Sequence, residues 1–227
     1  FCIVLSDILG DPLDMIASGP ACPDTSTCEQ ALNIVEKYNL KLTDEAKALL
    51  AVETPKELDN VTSLINGSVR ELCVAAGNAC RELGYEPILL TDQLACQAKE
   101  AGSFLASVLK THATSGKKLA FLAGGETVVH LTGKGKGGRN QELALAAAEE
   151  IAGLENVCVF SVGSDGTDGP TDAAGGYADE LTKEELLTKG ISIAKTLQQN
   201  DSYHALKAVD NLHERLARLE KLLLDKE

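Results

Sequence analysis

From residue 60 onward the chain alternates between two hydrophobic rhythms. Short apolar runs at 61–65, 87–91, 118–123 and 157–162 have the length and character of buried strands. Between them, over 69–83, 93–111 and 140–152, apolar residues recur every three or four positions, the period of a helix with one buried face. Gly84 stops the first of these helices. An alternating run at 127–131 predicts one more strand, immediately before a glycine-rich stretch. The order predicts an α/β chain of two three-layer units, with largely parallel or mixed sheets and helices on both faces. Ligands of such sheets gather outside the carboxyl ends of the strands.

Before residue 60 the rhythm is looser. The apolar run 2–5 predicts a buried strand feeding an acidic turn that holds Asp7, Asp11, Pro12 and Asp14. Ser26 or Thr27 is placed to cap a helix over 29–38, where Ala31, Leu32, Val35 and Tyr38 share a face. Thr43 or Asp44 starts a short helix through Leu50.

The glycine-rich stretch from Gly133 to Glu142 contributes the first candidate chemistry. Lys134, Lys136 and Arg139 sit among Gly133, Gly135, Gly137 and Gly138, a cationic island in a chain of net charge −13. A strand leading through such a bend into a helix start offers backbone N–H groups to phosphate. Gly133, Gly135 and Gly138 have the spacing of a dinucleotide-binding turn, but charged side chains crowd a bend that should be bare. A Walker loop requires Lys followed by Ser or Thr after its last glycine, and Arg139-Asn140 stands there instead. The bland alternative is a solvated, flexible turn.

A second candidate follows the run 157–162: Asp165, Asp168 and Asp172 in a loop of glycines, with Pro170. Its Ser-Asp, Pro and Asp spacing repeats that of Ser6, Asp7, Pro12 and Asp14. Carboxylates at strand ends hold Mg²⁺ when phosphate oxygens and water complete the shell. The competing reading is a series of Asp-Gly turns, each carboxylate closing on its own backbone. Cationic and acidic loops at one sheet edge are the parts of a phosphoryl-transfer site.

Composition narrows the classes. The 227 residues, 44% of them hydrophobic, suffice for one large or two small domains, and no run is long enough to span a membrane. The acidic balance and 4% aromatic content argue against nucleic acid and for a small-molecule partner. Seven cysteines without a Cys-x-x-Cys pair or clustered histidines argue against a zinc site, and Cys73, Cys80, Cys96 and Cys158, inside apolar segments, read as buried thiols of a reducing cytoplasm. The opening Phe1-Cys2-Ile3 carries no starting Met and reads as a cut inside a longer protein.

Five ordered strings together resemble the glycerate 2-kinase family, whose members carry a C-terminal MOFRL domain. They are Ser6 to Pro20, Gly124-Gly125-Glu126-Thr127, Gly137 to Glu142, Asp165 to Gly175, and Asn200-Asp201-Ser202-Tyr203. The resemblance implies transfer of the γ-phosphate of ATP to the 2-hydroxyl of D-glycerate, with Mg²⁺, in a cleft between two α/β domains. It places the end of the N-terminal α/β domain at 1–115 and a truncated MOFRL-like domain at 116–209. Arg139 would hold the glycerate carboxylate or the transferred phosphate, and Asp7 would be the base. Asp165 and Asp168 would face the metal or the nucleotide phosphates. Lys134, Lys136, Gly137, Gly138, Asn140, Gln141, Glu142, Asp11 and Ser68 would line the substrate and phosphate sites. The family has a long stretch ahead of the position of Phe1, so this chain is expected to be a fragment, inactive or weak alone. Beside this reading stand a non-catalytic ligand-binding or oligomerising remnant and an NAD(P)-dependent hydroxypyruvate reductase, a name given to some relatives.

The tail 210–227 departs from the family pattern. Ala205, Val209, Leu212, Leu216, Leu219 and Leu223 form a coiled-coil seam, which predicts a helix that docks on the chain or pairs two copies as a homodimer.

Overall fold

The computed structural model describes residues 1–6 and 8–209, which form an α/β fold in two compact units, one from Phe1 to Val74 and one beginning at Ala75. In the first unit, strand β1 (Cys2–Leu5) lies parallel to β2 (Ser63–Gly67), pairing Cys2 with Ser63 and Val4 with Ile65. Parallel neighbours need a long crossover. Here it contains helices α1 (Cys28–Lys37) and α2 (Asp44–Leu50). The caps are those the sequence predicts: Thr27 and Gln30 close a reciprocal capping box on α1, and Thr43 Oγ1 accepts from Ala46 N. The carboxyl ends of β1 and β2 lie side by side, joined by Ser6 N donating to Gly67 O at 2.9 Å. Helix α3 (Val69–Glu82) starts at that edge and continues into the second unit.

In the second unit, β3 (Glu86–Leu94) and β4 (Leu119–Gly125) are parallel, with α4 (Ala98–His112) as their crossover. Helix α5 (Arg139–Ile151) is the centre of the unit. Its alanines let neighbours approach from several sides: Leu143, Ala147 and Ile151 pack with Ala98 and Ala101 of α4, and Leu145 and Ala148 pack on the opposite side. A methyl at Gly102 of α4 would run into the α5 backbone at Leu143 O, which is why the two helices lie so close. Strand β5 (Cys158–Val162) pairs with β6 (Gly175–Asp179), and α6 (Thr182–Thr188), α7 (Ile193–Gln199) and α8 (Ser202–Ala208) complete the second core with Leu186, Ile193 and Leu206. Each large aliphatic side chain fully buried there contributes about 1.5–3 kcal/mol.

Two expectations are corrected. The run 127–131 is no strand: Val128 makes one isolated bridge, to Gln97, and the chain then turns into the glycine loop. Helix α4 begins at Ala98, because 93 and 94 still belong to β3. The β5–β6 pair is antiparallel and the β1–β2 and β3–β4 pairs are parallel, in keeping with the largely parallel or mixed sheets expected. The leucine seam beyond Val209 lies outside the described residues. Among the described residues no helix is long and apolar enough to cross a membrane, and the cysteines are free thiols.

Candidate active site

The glycine loop is packed against the protein on both sides. Thr132 N and Gly133 N donate to Asn200 Oδ1 at 2.7 and 2.8 Å, Gly135 N donates to Gln199 O at 2.8 Å, and Lys136 N donates to Asp201 Oδ1 at 2.9 Å. Methyl groups at Gly133 and Gly135 would strike the backbone of Gln199 and Asp201, and one at Gly137 would strike Ser202 Oγ. These glycines serve close approach within the chain. That removes the physical basis of a dinucleotide turn, in which the same amides face a pyrophosphate.

The far end of the loop is held by Asp168, whose carboxylate is 2% exposed. Oδ1 accepts from Asn140 N and Nδ2, both at 3.0 Å, and Oδ2 accepts from Gln141 N and Nε2, both at 2.9 Å. A carboxylate offers about four lone-pair sites, and these bonds use them. Asp168 therefore caps α5 and does not face a metal. Gly138 abuts the same group, since a methyl on it would land in the carboxylate. Asn140, Gln141 and Glu142, expected to meet ligand, are buried at 8, 1 and 3% exposure. Asn140 Oδ1 accepts from Ser161 Oγ at 2.6 Å, Gln141 Nε2 also donates to Thr171 Oγ1 at 3.0 Å, and Glu142 Oε2 accepts from Asn200 Nδ2 at 3.2 Å. Burial pushes the Glu142 carboxyl above its ordinary range, while the Asn200 bond pulls the other way. All three shape the loop and the helix start from inside.

What remains open to a ligand is narrower than the sequence predicts. Arg139, the first residue of α5, is half-exposed and donates through Nη1 to Glu126 Oε1. Glu126 follows the carboxyl end of β4, fixed by its own N–H to Leu94 O at 2.8 Å. A guanidinium has five N–H donors, so this ion pair orients Arg139 and leaves donors for an anion. Asp165 is exposed in the loop after β5, its oxygens accepting from Thr167 N at 3.0 Å and Thr167 Oγ1 at 2.9 Å. Those two bonds, foremost, hold its carboxyl below the usual range, and the nearby Arg139 charge adds to them. Each Asp165 oxygen keeps a lone pair, which fits a Mg²⁺ that takes most of its ligands from phosphate and water. Lys134 is exposed, whereas the Lys136 ammonium lies 4.7 Å from the Tyr203 ring centre instead of in the bend. In the first unit, Ser68 Oγ accepts from Glu71 N at 3.3 Å and caps α3, and Asp11 sits in a left-handed turn at φ 53°. Asp7 lies outside the described residues.

Comparison with known proteins bears directly on this arrangement. Residues 119–218 match the MOFRL family, and residues 1–51 match a domain of unknown function, DUF4147. The chain is 48% identical over 209 residues to a D-glycerate 2-kinase of Thermotoga maritima, covering 90% of this chain and 50% of that protein. Its fold superposes on a crystal structure of glycerate kinase from the same organism with a TM-score of 0.86, over 91% of this chain and 51% of that one. Along nine-tenths of its length the chain is similar to glycerate 2-kinases. A glycerate 2-kinase of Pyrococcus horikoshii is 39% identical over 225 residues, covering 92% of this chain and 51% of that protein. A relative of Agrobacterium vitis provisionally named hydroxypyruvate reductase is 33% identical over 222 residues, 92% of this chain and 57% of that one. The chain spans about half the length of the curated relatives it matches.

The residues that reasoning from sequence left without a role are Glu126 and the Asn200-Asp201 pair. Glu126 carried a usable signal, since an acid behind two glycines at a strand end faces the edge where ligands gather. Asn200 entered only as part of a family string, with nothing to mark its role, because its partners lie 58 to 70 residues away.

Proposed function

We propose that the protein to which this chain belongs transfers the γ-phosphate of ATP to the 2-hydroxyl of D-glycerate, giving 2-phosphoglycerate and ADP. The observation that carries the reading is the Arg139–Glu126 pair at the start of α5, with the Asp165 carboxylate within reach of the Arg139 field. The relatives' names supply the substrate class. In the transfer, the acceptor hydroxyl oxygen forms a bond to the γ-phosphorus, the bond from that phosphorus to the bridging oxygen of ADP breaks, and the hydroxyl proton passes to a carboxylate. Asp7 is proposed as that carboxylate. Arg139 meets the anionic group whose charge spreads over oxygens during transfer, and Glu126 fixes the plane of its guanidinium beforehand. Lys134 adds positive charge beside it. Bound Mg²⁺ would neutralise phosphate oxygens, and Asp165 is the residue proposed to hold it.

The division into a DUF4147-type segment and a MOFRL segment beginning near 116 is part of the same proposal, supported by the two family matches. Pairing of two copies through 210–227 is proposed as well, for light scattering with and without those residues to decide. The functional reading is tested by assaying glycerate- and ATP-dependent formation of 2-phosphoglycerate in the protein and its Arg139→Ala variant. A loss of at least 100-fold in kcat/KM is expected, about 2.7 kcal/mol of transition-state stabilisation. Absence of glycerate- and ATP-dependent product with the parent protein would overturn the reading, and normal turnover in the variant would overturn the role of Arg139.

A further inference from the structure

We infer that Asn200 is a positioning residue for this site, and that its side chain sets the shape of the glycine loop before any ligand arrives. The inference rests on the functional reading only where it speaks of ligand affinity. Asn200 ends α7 in the left-handed conformation, φ 54° and ψ 41°, which aims its amide away from its own helix. Its Oδ1 receives Thr132 N and Gly133 N, and its Nδ2 donates to His130 O at 3.1 Å and Glu142 Oε2 at 3.2 Å. One side chain thus ties residues 130, 132 and 133, on the near side of the loop, to residue 142 of α5 on the far side. It is 6% exposed, so water cannot replace these bonds without opening the loop.

The neighbours continue the seam. Asp201 Oδ1 takes Lys136 N, and Tyr203 N donates to Lys136 O at 3.0 Å. The Asn200-Asp201 corner therefore spans the loop up to Lys136, and Asp168 takes over from Asn140. Between those two anchors lie Gly137, Gly138 and Arg139, so the position of Arg139 is inherited from both. An unclasped loop would have to be ordered by the ligand itself, at the expense of affinity. Removing the clasp should accordingly raise KM and leave kcat nearly unchanged, the signature of lost uniform binding.

Asn200→Gly is the informative variant, because glycine tolerates the left-handed backbone and loses only the amide. Hydrogen exchange in the protein should show Thr132 and Gly133 exchanging at least tenfold faster, with the interior of α5 from Leu143 to Ala148 unchanged. KM for ATP should rise about tenfold, with kcat within threefold of the parent. Asn200→Asp keeps both acceptor bonds but turns a carboxylate toward Glu142 Oε2, so it is combined with Glu142→Gln, and in that pair Thr132 and Gly133 should regain most of their protection. Unchanged protection in Asn200→Gly overturns the clasp. Faster exchange with unchanged KM, or a fall in kcat at constant KM, overturns the positioning role. Assay of the parent protein separates this from the kinase reading, because a wrong kinase assignment leaves the parent without 2-phosphoglycerate formation while loop exchange still responds to Asn200.

Discussion

The Asp168 carboxylate meets the backbone N–H groups of Asn140 and Gln141 at 3.0 and 2.9 Å, closing the first turn of α5 with a residue 27 to 28 positions away. The helix N-terminus that the sequence offers to phosphate is thus held by the protein's own anion. The charge there is satisfied before any ligand binds, and the cationic part of the site shifts outward to the Arg139 side chain.

Asp168→Ala should be among the most damaging single changes in the second unit. It strands three buried donors, Asn140 N and Nδ2 and Gln141 N, and leaves Gln141 Nε2 without the carboxylate but still bonded to Thr171 Oγ1. A loss of about 3 kcal/mol is expected from that principle, read as a lower urea midpoint at unchanged slope.

Gly138→Ala probes the same contact from the other side. At φ −144° and ψ 175° the Gly138 backbone suits any residue, so the cost is the collision of the new methyl with the Asp168 carboxylate alone. The variant should be destabilised by about 2 kcal/mol, in the range of overpacked cores. In an Asp168→Ala background the same substitution should cost much less. A double-mutant cycle on denaturation midpoints measures the difference, and strict additivity would rule out the collision as the cause.

Glu142 gives stability a pH dependence. Its carboxyl titrates above the ordinary 4.5 because burial disfavours the charge. Between 4.5 and the raised folded value, the folded chain holds a proton that the unfolded chain has released. The stability it contributes is complete below 4.5 and is lost as pH rises through the folded value. Glu142→Gln keeps an oxygen for Asn200 Nδ2 and removes the charge. Its unfolding midpoint should fall less with rising pH than the parent's over that window, and parallel curves would refute the account.

Cys158 should be the least reactive thiol of the second unit. Burial first, then the charges of Asp179 and Glu180, push it up to about 11 from an ordinary 9.0. Thiolate is the reactive form, so alkylation at pH 8 should run roughly 100-fold slower than at an unshifted thiol. Peptide mapping after timed iodoacetamide treatment reads this directly.

The sequence by itself determined where most elements lie. Thr27 and Thr43 mark the starts of α1 and α2, and the apolar runs mark β1, β3, β4 and β5, because capping and periodicity act between residues a few positions apart. It also placed Arg139 at a helix start, and its motifs carried the family resemblance. Only the tertiary structure decided that β6, a strand of Gly175, Gly176, Tyr177, Ala178 and Asp179, runs antiparallel to β5, since those residues carry little strand preference of their own. It also decided the roles of the polar residues around the loop. An aspartate and a glycine look alike in sequence whether they meet phosphate or the chain's own amides. Which they meet is fixed by close packing across the fold, where Asp168, Asn200 and the glycines have already spent their hydrogen bonds and their space on one another.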